Sequence, residues 1–177
     1  MDSAEILVKG IFINPTIADI KTKGSKKDII ELHQTISEEK LSNFKSYPVQ
    51  YQIEAEKILC QILFGSYNEA AYFQFGKRSL DYFVNSNIGK VMVSLFGKDP
   101  EKLVFNIQRL FNTVTSGIEI EVKKLEDHKF SVHFFNDPYP LRGTEGVLFA
   151  GLEFTGVKGK VEFINHGNQD HEFILSW

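Results

Sequence analysis

Four of the five histidines fall in the last third of the chain: His128, His133, His166 and His171. Asp127 and Asp170 stand beside two of them. Imidazole and carboxylate together are donors for zinc or iron, and strands folded back on one another can bring such donors to one end of a sheet. His166 and His171 flank a single loop and form the candidate metal pair. The competing reading is that they are solvated histidines of turns and wet strand faces. No metal is expected on balance.

A second constellation is Tyr139 and Arg142, just before a segment with helical character. The first N–H groups of a helix carry partial positive charge, and a guanidinium beside them can bind phosphate or carboxylate. Arg142 can instead pair with Glu145 or Asp137. Cys60 sits among Ile58, Leu59 and Ile62, where a thiolate is disfavoured. No G-x-S-x-G, Walker, H-E-x-x-H or C-x-x-C pattern occurs, so an enzyme is not the expectation and no cofactor is assigned. The chain has 16 Phe against one Trp and two Met. Phe supplies large apolar area without a polar tip, either for a thick core or for a cavity that holds an apolar molecule. Phe73 and Phe149, with Tyr139 and Arg142, are the candidate ligand contacts.

At 177 residues the chain is expected to be one domain, mainly helical over 1–113 and ββαββ over 117–177. The net charge of −3 argues against nucleic acid, and a solvated loop accounts for Lys21, Lys23, Lys26 and Lys27. One cysteine excludes an internal disulfide. With no apolar run of membrane-spanning length, the expected location is cytoplasmic.

These groups must be positioned by elements the spacing predicts. EILVKGIFI (Glu5 to Ile13) reads as a covered strand with Gly10 as a bulge, followed by a short helix capped by Asn14 and opened by Pro15. Ser25 to Asp28 resembles a capping box, opening a helix with Ile29, Leu32, His33 and Ile36 on one face. His33 reads as a hydrogen-bonded core histidine. A polar surface loop is expected from Ser37 to Tyr47. Pro48 opens a helix whose stripe is Tyr51, Ala55, Ile58, Leu59 and Ile62, and Gly65 stops it. Another helix covers Asn68 to Val84, with Gly76 requiring close contact and Lys77 and Arg78 facing solvent. Ile88, Val91, Met92, Leu95 and Phe96 form an apolar stripe, and Asp99-Pro100 opens a helix with Leu103, Ile107, Leu110 and Phe111 inward.

After Gly117 the period changes to two. Ile118, Ile120 and Val122 alternate with charges, the chain turns at Glu126 to His128, and Phe130, Val132 and Phe134 return it. Pro138 to Gly159 is a central helix, and a second hairpin runs from Val161 to Trp177. On that helix Gly143, Gly146, Val147, Ala150 and Phe154 share a mostly small side. Close approach to a sheet is expected there, with admission of a ligand as the alternative.

The residues VKGIFI, the Tyr47-Pro48 helix start, FGKRSLDYF with Gly89, YPLRGTEGVLFAGLEFTG and Trp177 resemble a bacterial domain-of-unknown-function family, found as a large paralogous set in myxobacteria. Helices followed by ββαββ are distantly similar to the superfamily of four-vinyl-reductase-like, haem nitric-oxide-binding and vesicle-tethering domains. That resemblance implies a ligand-sensing or assembly module, often dimeric. The Tyr-x-Ser-x-Arg signature of the haem branch is absent, as are the C-terminal cysteines of the vinyl-reductase-like branch. The fold expected is α+β, an N-terminal strand and helical bundle packed on an antiparallel ββαββ unit. The function expected is a non-catalytic regulatory module that holds a small apolar molecule or signals through a homodimer surface. The alternative is a protein–protein assembly adaptor.

Overall fold

The computed structural model describes residues 5–38 and 40–177. Strand β1 (Leu7–Lys9) leads directly into α1 (Gly10–Lys23), and α2 (Lys26–Thr35) follows. Strand β2 (Ser46–Pro48) precedes α3 (Val49–Phe64), α4 (Glu69–Asn85), α5 (Asn87–Phe96), α6 (Pro100–Phe105) and α7 (Ile107–Val114). Strand β3 (Thr115–Ser116) completes a small antiparallel sheet of order β2-β1-β3. The remainder is β4 (Glu119–Glu126), β5 (Lys129–Phe135), α8 (Leu141–Thr155), β6 (Lys160–Gly167) and β7 (Asp170–Ser176). Both hairpins join one antiparallel sheet of order β4-β5-β7-β6, so the class is α+β with the expected ββαββ unit.

The helix ends form where polar side chains can satisfy the first free N–H groups. Ser25 and Asp28 make a reciprocal capping box, with the Ser25 N–H donating to Asp28 Oδ2 at 2.7 Å. Asn68 Oδ1 accepts from the Ala71 N–H at 3.0 Å, Ser86 Oγ from Gly89 at 2.9 Å and Asp99 Oδ1 from Lys102 at 3.1 Å. Gly65 and Gly156 end α3 and α8 in the left-handed region.

Several sequence expectations need correction. The strand ends at Lys9, and Gly10 begins a helix that contains Pro15 and Asn14 in its interior. An apolar run on both faces fits a buried strand and a buried helix equally; the helical spacing of Ile13, Thr16, Ile17 and Ile20, all buried, decides it. The Gly10 and Ile11 N–H groups donate to the carbonyls of Lys45 and Asn43, and Asn14 Nδ2 donates to the Leu41 carbonyl at 2.9 Å. The expected polar loop from Ser37 to Tyr47 is therefore anchored, with Leu41 and Tyr47 buried; its Glu39 lies outside the described residues. Pro48 precedes α3 as its N-cap. The helix expected from Pro100 breaks at Asn106, whose side-chain amide donates to the Lys102 carbonyl at 2.8 Å and competes with the helical pattern.

One apolar cluster lies among α1, α2, α3 and α4, including Ile17, Ile20, Leu32, Leu59 and Phe75. A second lies between α8 and the four-stranded sheet, where Leu148 and Leu152 meet Phe130, Phe134 and Phe173. Tyr139 packs against both. The small face of α8 was expected against a sheet. It lies against α4 instead, because α4 contributes a matching glycine. A Cβ on Gly76 would fall 2.0 Å from the Gly143 carbonyl oxygen, and one on Gly146 would fall 2.2 Å from that of Phe73. On Gly143 itself a Cβ would meet nothing nearer than 3.9 Å.

Overpacking at a backbone contact costs about 1–3 kcal/mol. Gly76→Ala and Gly146→Ala should each fall in the upper part of that range, and Gly143→Ala should be neutral or slightly stabilising. Urea denaturation of the three variants checks this, and equal effects at all three positions would refute the close crossing.

Candidate ligand cavity beside the central helix

Between α8 and the helices lies a cavity of about 190 Å³. Six phenylalanines line it, Phe12, Phe75, Phe83, Phe96, Phe111 and Phe154. Small residues on α8 leave the space open: Gly143, Val147 and Gly151 face it where Leu or Phe would fill it. The inner side of α5, with Met92, Val93 and Phe96, covers another wall.

One end of this apolar space is polar. Gln52, Ala55, Glu56 and Leu59 share one face of α3 by their i, i+3, i+4, i+7 spacing. That face carries Glu56 into the interior, where it is only 6% exposed. Gln52 Nε2 donates to Glu56 Oε1 at 2.7 Å, and the Tyr139 hydroxyl donates to Gln52 Oε1 at 2.9 Å. Asp137, 1% exposed, accepts from the Tyr139 N–H at 3.0 Å and from the Thr144 hydroxyl at 2.9 Å. Asp137 thus fixes the entry to α8 and, with it, the direction of the Tyr139 ring.

Burial pushes the Glu56 carboxyl up to about 8; the Gln52 hydrogen bond partly offsets this, and the Asp137 charge adds to it. Burial also raises Asp137 to about 6, against the Tyr139 N–H and the Thr144 hydroxyl. Burial, with Glu56 and Asp137 nearby, holds the Tyr139 hydroxyl well above the ordinary tyrosine value. Near neutral pH the residues that line the polar end, Gln52, protonated Glu56, Tyr139 and Thr144, are therefore uncharged donors and acceptors, and Asp137 lies outside that lining. Among the described residues no Lys, Arg, His or Cys lines the cavity. A neutral, mainly apolar molecule with one hydrogen-bonding group matches this wall.

The sequence-derived candidates divide. Tyr139 lines the cavity. Arg142, Phe73 and Phe149 meet one another elsewhere, over the α4–α8 crossing. The Arg142 guanidinium pairs with Glu145 and lies 5.4 Å from the Phe73 ring centroid, while Phe73 and Phe149 are 5.7 Å apart. Lys77 pairs with Glu153 at 2.8 Å over the Phe149 ring, and Arg78 pairs with Asp19 at 2.5 Å. His166 and His171 do not converge: His171 is buried on the core side of β7, and His166 lies on the outer side. Cys60 is buried and its thiol is pushed up to about 12, first by burial and then by Glu56. Sequence reasoning missed Glu56 and Gln52. The available signal was two hydrogen-bonding residues on the apolar face of a helix, at the spacing of its core stripe.

The Glu56 assignment has a stability signature. Unfolded Glu56 releases its proton above about 4.5, whereas the folded protein keeps it until about 8. The folded state binds more protons across that window, so stability falls as pH rises from about 4.5 to about 8. Asp137 adds a smaller loss between about 3.8 and about 6. Glu56→Gln keeps the Gln52 hydrogen bond without a titrating group. Thermal midpoints of this variant should stay nearly flat from pH 6 to 8 while the parent declines, and parallel profiles would contradict the assignment.

Several solved structures share this fold. The H-NOX protein from S. oneidensis in the Fe(II)NO ligation state matches at TM-score 0.73 and 16% identity, covering 95% of this chain and 98% of its own. The Fe(II) unliganded H-NOX protein from K. algicida matches at 0.69 and 10%, covering 95% of each chain. The IWP-051-bound H-NOX from Shewanella woodyi matches at 0.65 and 15%, covering 94% of this chain and 92% of its own. Identities this low establish the fold alone. Haem does not fit the residues here. The cavity offers no imidazole or thiolate for iron and no cation for propionates. The hydroxyls of Tyr82 and Tyr139 are committed to Asp19 and Gln52. No protein of curated function matches the chain. Residues 8–177 match the model of the family described as "Protein of unknown function (DUF2378)", and the chain belongs to that family.

Proposed function

We propose that this protein is a non-catalytic binding module whose cavity receives a small, mainly apolar, uncharged molecule carrying one hydrogen-bonding group. The observation that carries the reading is the pairing of a Phe-lined cavity with a single buried polar end at Gln52, Glu56 and Tyr139. The fold shared with H-NOX proteins supports a sensing role. Helix α5 supplies a route outward. Its inner side lines the cavity, while Val91 and Leu95, one helical turn apart, are 59% and 60% exposed. The apolar stripe of this helix is thus split between two faces.

That exposed pair also favours the second reading, an assembly adaptor or homodimer that uses the outer face of α5. No described helix is long and apolar enough to cross a membrane.

Calorimetry with n-octanol as probe tests the first reading. One equivalent should bind the parent, and Val93→Trp, which fills the cavity, should abolish binding. Glu56→Leu should weaken octanol roughly tenfold, the worth of about one hydrogen bond, and leave n-octane binding unchanged. Absence of saturable octanol binding, or equal binding by Val93→Trp, would overturn the cavity reading. Light scattering of Val91→Lys/Leu95→Lys tests the second: a parent dimer should become monomeric, and a parent already monomeric rejects it.

A further inference from the structure

The outer face of the four-stranded sheet holds a cluster that the cavity does not use. His133 on β5 is directly opposite Glu172 on β7. Alternation places Ser131, His133 and Phe135 on one side of β5, opposite the buried Phe130, Val132 and Phe134. On β7 the same alternation turns Asp170 and Glu172 outward and His171, Phe173 and Leu175 inward.

His166 reaches this face through a β-bulge. The β6–β7 register shifts between Asn165 and Gly167, leaving His166 as the extra residue. Bulges re-aim side chains in this way. The following turn places Asn168 and Gln169 at positive φ, and Asp170 then pairs with Gly167. The result brings together donors from three adjacent strands. One donor atom each from His133, His166 and Asp170 lies within 4.8 Å of the others. His133 Nε2 is in contact with Asp170 Oδ1, and His166 Nε2 is 3.3 Å from Glu172 Oε2.

We infer that this face is a site for one divalent transition-metal ion, held by His133, His166 and Asp170 with Glu172 as fourth donor. Two imidazoles and two carboxylates on one face are a donor set that zinc takes. Metal–ligand bonds of about 2.0–2.1 Å place neighbouring donors roughly 3.4 Å apart; His166 Nε2 and Glu172 Oε2 stand 3.3 Å apart, and the donors of His133, His166 and Asp170 lie within 4.8 Å of one another. The supporting contacts favour a preset arrangement. Ser131 Oγ donates to Glu172 Oε1 at 2.5 Å, which leaves Oε2 turned toward His166. The Phe135 ring stacks on His133 at 4.1 Å and restrains its orientation. Outer contacts of this kind orient metal ligands. The ion would tie β5, β7 and β6 together at the turn end of the sheet. A purely ionic cluster of His133 with Asp170 and His166 with Glu172 is the alternative, and it needs no ion.

Titration of the chelator-treated full chain with zinc chloride should give one equivalent bound, and Co²⁺ should give the visible d–d band of tetrahedral coordination. His133→Ala/His166→Ala should lose at least about 100-fold in zinc affinity, while His128→Ala, at the exposed turn beside Trp177, should match the parent. Zinc should raise the thermal midpoint of the parent but not of the double variant, whose metal-free midpoint should stay near the parent's. No saturable zinc binding, or equal binding by the double variant, would overturn the site and leave an ion-pair cluster.

Discussion

The contact on which the molecule depends is backbone against backbone, where α4 crosses α8 at Gly76, Gly143 and Gly146. No side chain larger than hydrogen fits at Gly76 or Gly146 without moving a carbonyl. The small faces of two helices are thereby committed to each other. The large face of α8, with Leu148 and Leu152, is left for the sheet, and the two helices become a fixed frame between the two apolar clusters. The same crossing gathers Phe73, Phe149, Arg142 and Lys77 on its outer rim, where they pair with Glu145 and Glu153. A cluster that looks like an anion or ligand site in the sequence is therefore a clamp over a glycine seam.

The cavity follows from the same geometry. Residues small enough for the crossing continue along α8 as Val147 and Gly151, and they line the cavity. Closely packed interiors fill such space unless something occupies it. The polar end makes the case stronger. An uncharged Glu56 and a raised Asp137 are unfavourable choices for a wall that only had to exclude water, since burial of an ionisable group costs stability. Gln52, Tyr139 and Thr144 satisfy part of that demand. A protonated carboxyl presented to an apolar space is a means of recognising a hydrogen-bond acceptor without recognising charge.

Local chemistry in the sequence was legible. The Ser25–Asp28 box, the Asp99-Pro100 start, the Gly65 stop and the two-residue period of both hairpins are decided by neighbours a few positions away, and each occurs as read. Choices made by distant partners were not. EILVKGIFI becomes half helix because the carbonyls of Asn43 and Lys45 wait for its N–H groups. The glycine face of α8 finds α4 because Gly76 lies 67 to 70 residues upstream of its two partners, a distance no local pattern records. His166 was paired with His171 by proximity along the chain, whereas strand alternation separates them and the bulge gives His166 to His133. The residues of the cavity end were hidden for a different reason: a glutamate inside a core stripe reads as an edge residue until its depth is known.

Helix α5 joins the two functional readings. A helix with Met92 and Phe96 on a cavity and Val91 and Leu95 on the surface has an apolar circumference divided between an internal and an external partner. A molecule in the cavity can shift α5 only by as much as it binds one position of that helix better than another. A surface partner on Val91 and Leu95 is subject to the same limit from the other side, and the coupling between the two is reciprocal. On the proposed reading, sensor and adaptor are two ends of one equilibrium. The glycine seam fixes α4 against α8, and among the cavity walls outside that seam α5 is one that also presents apolar residues to the surface.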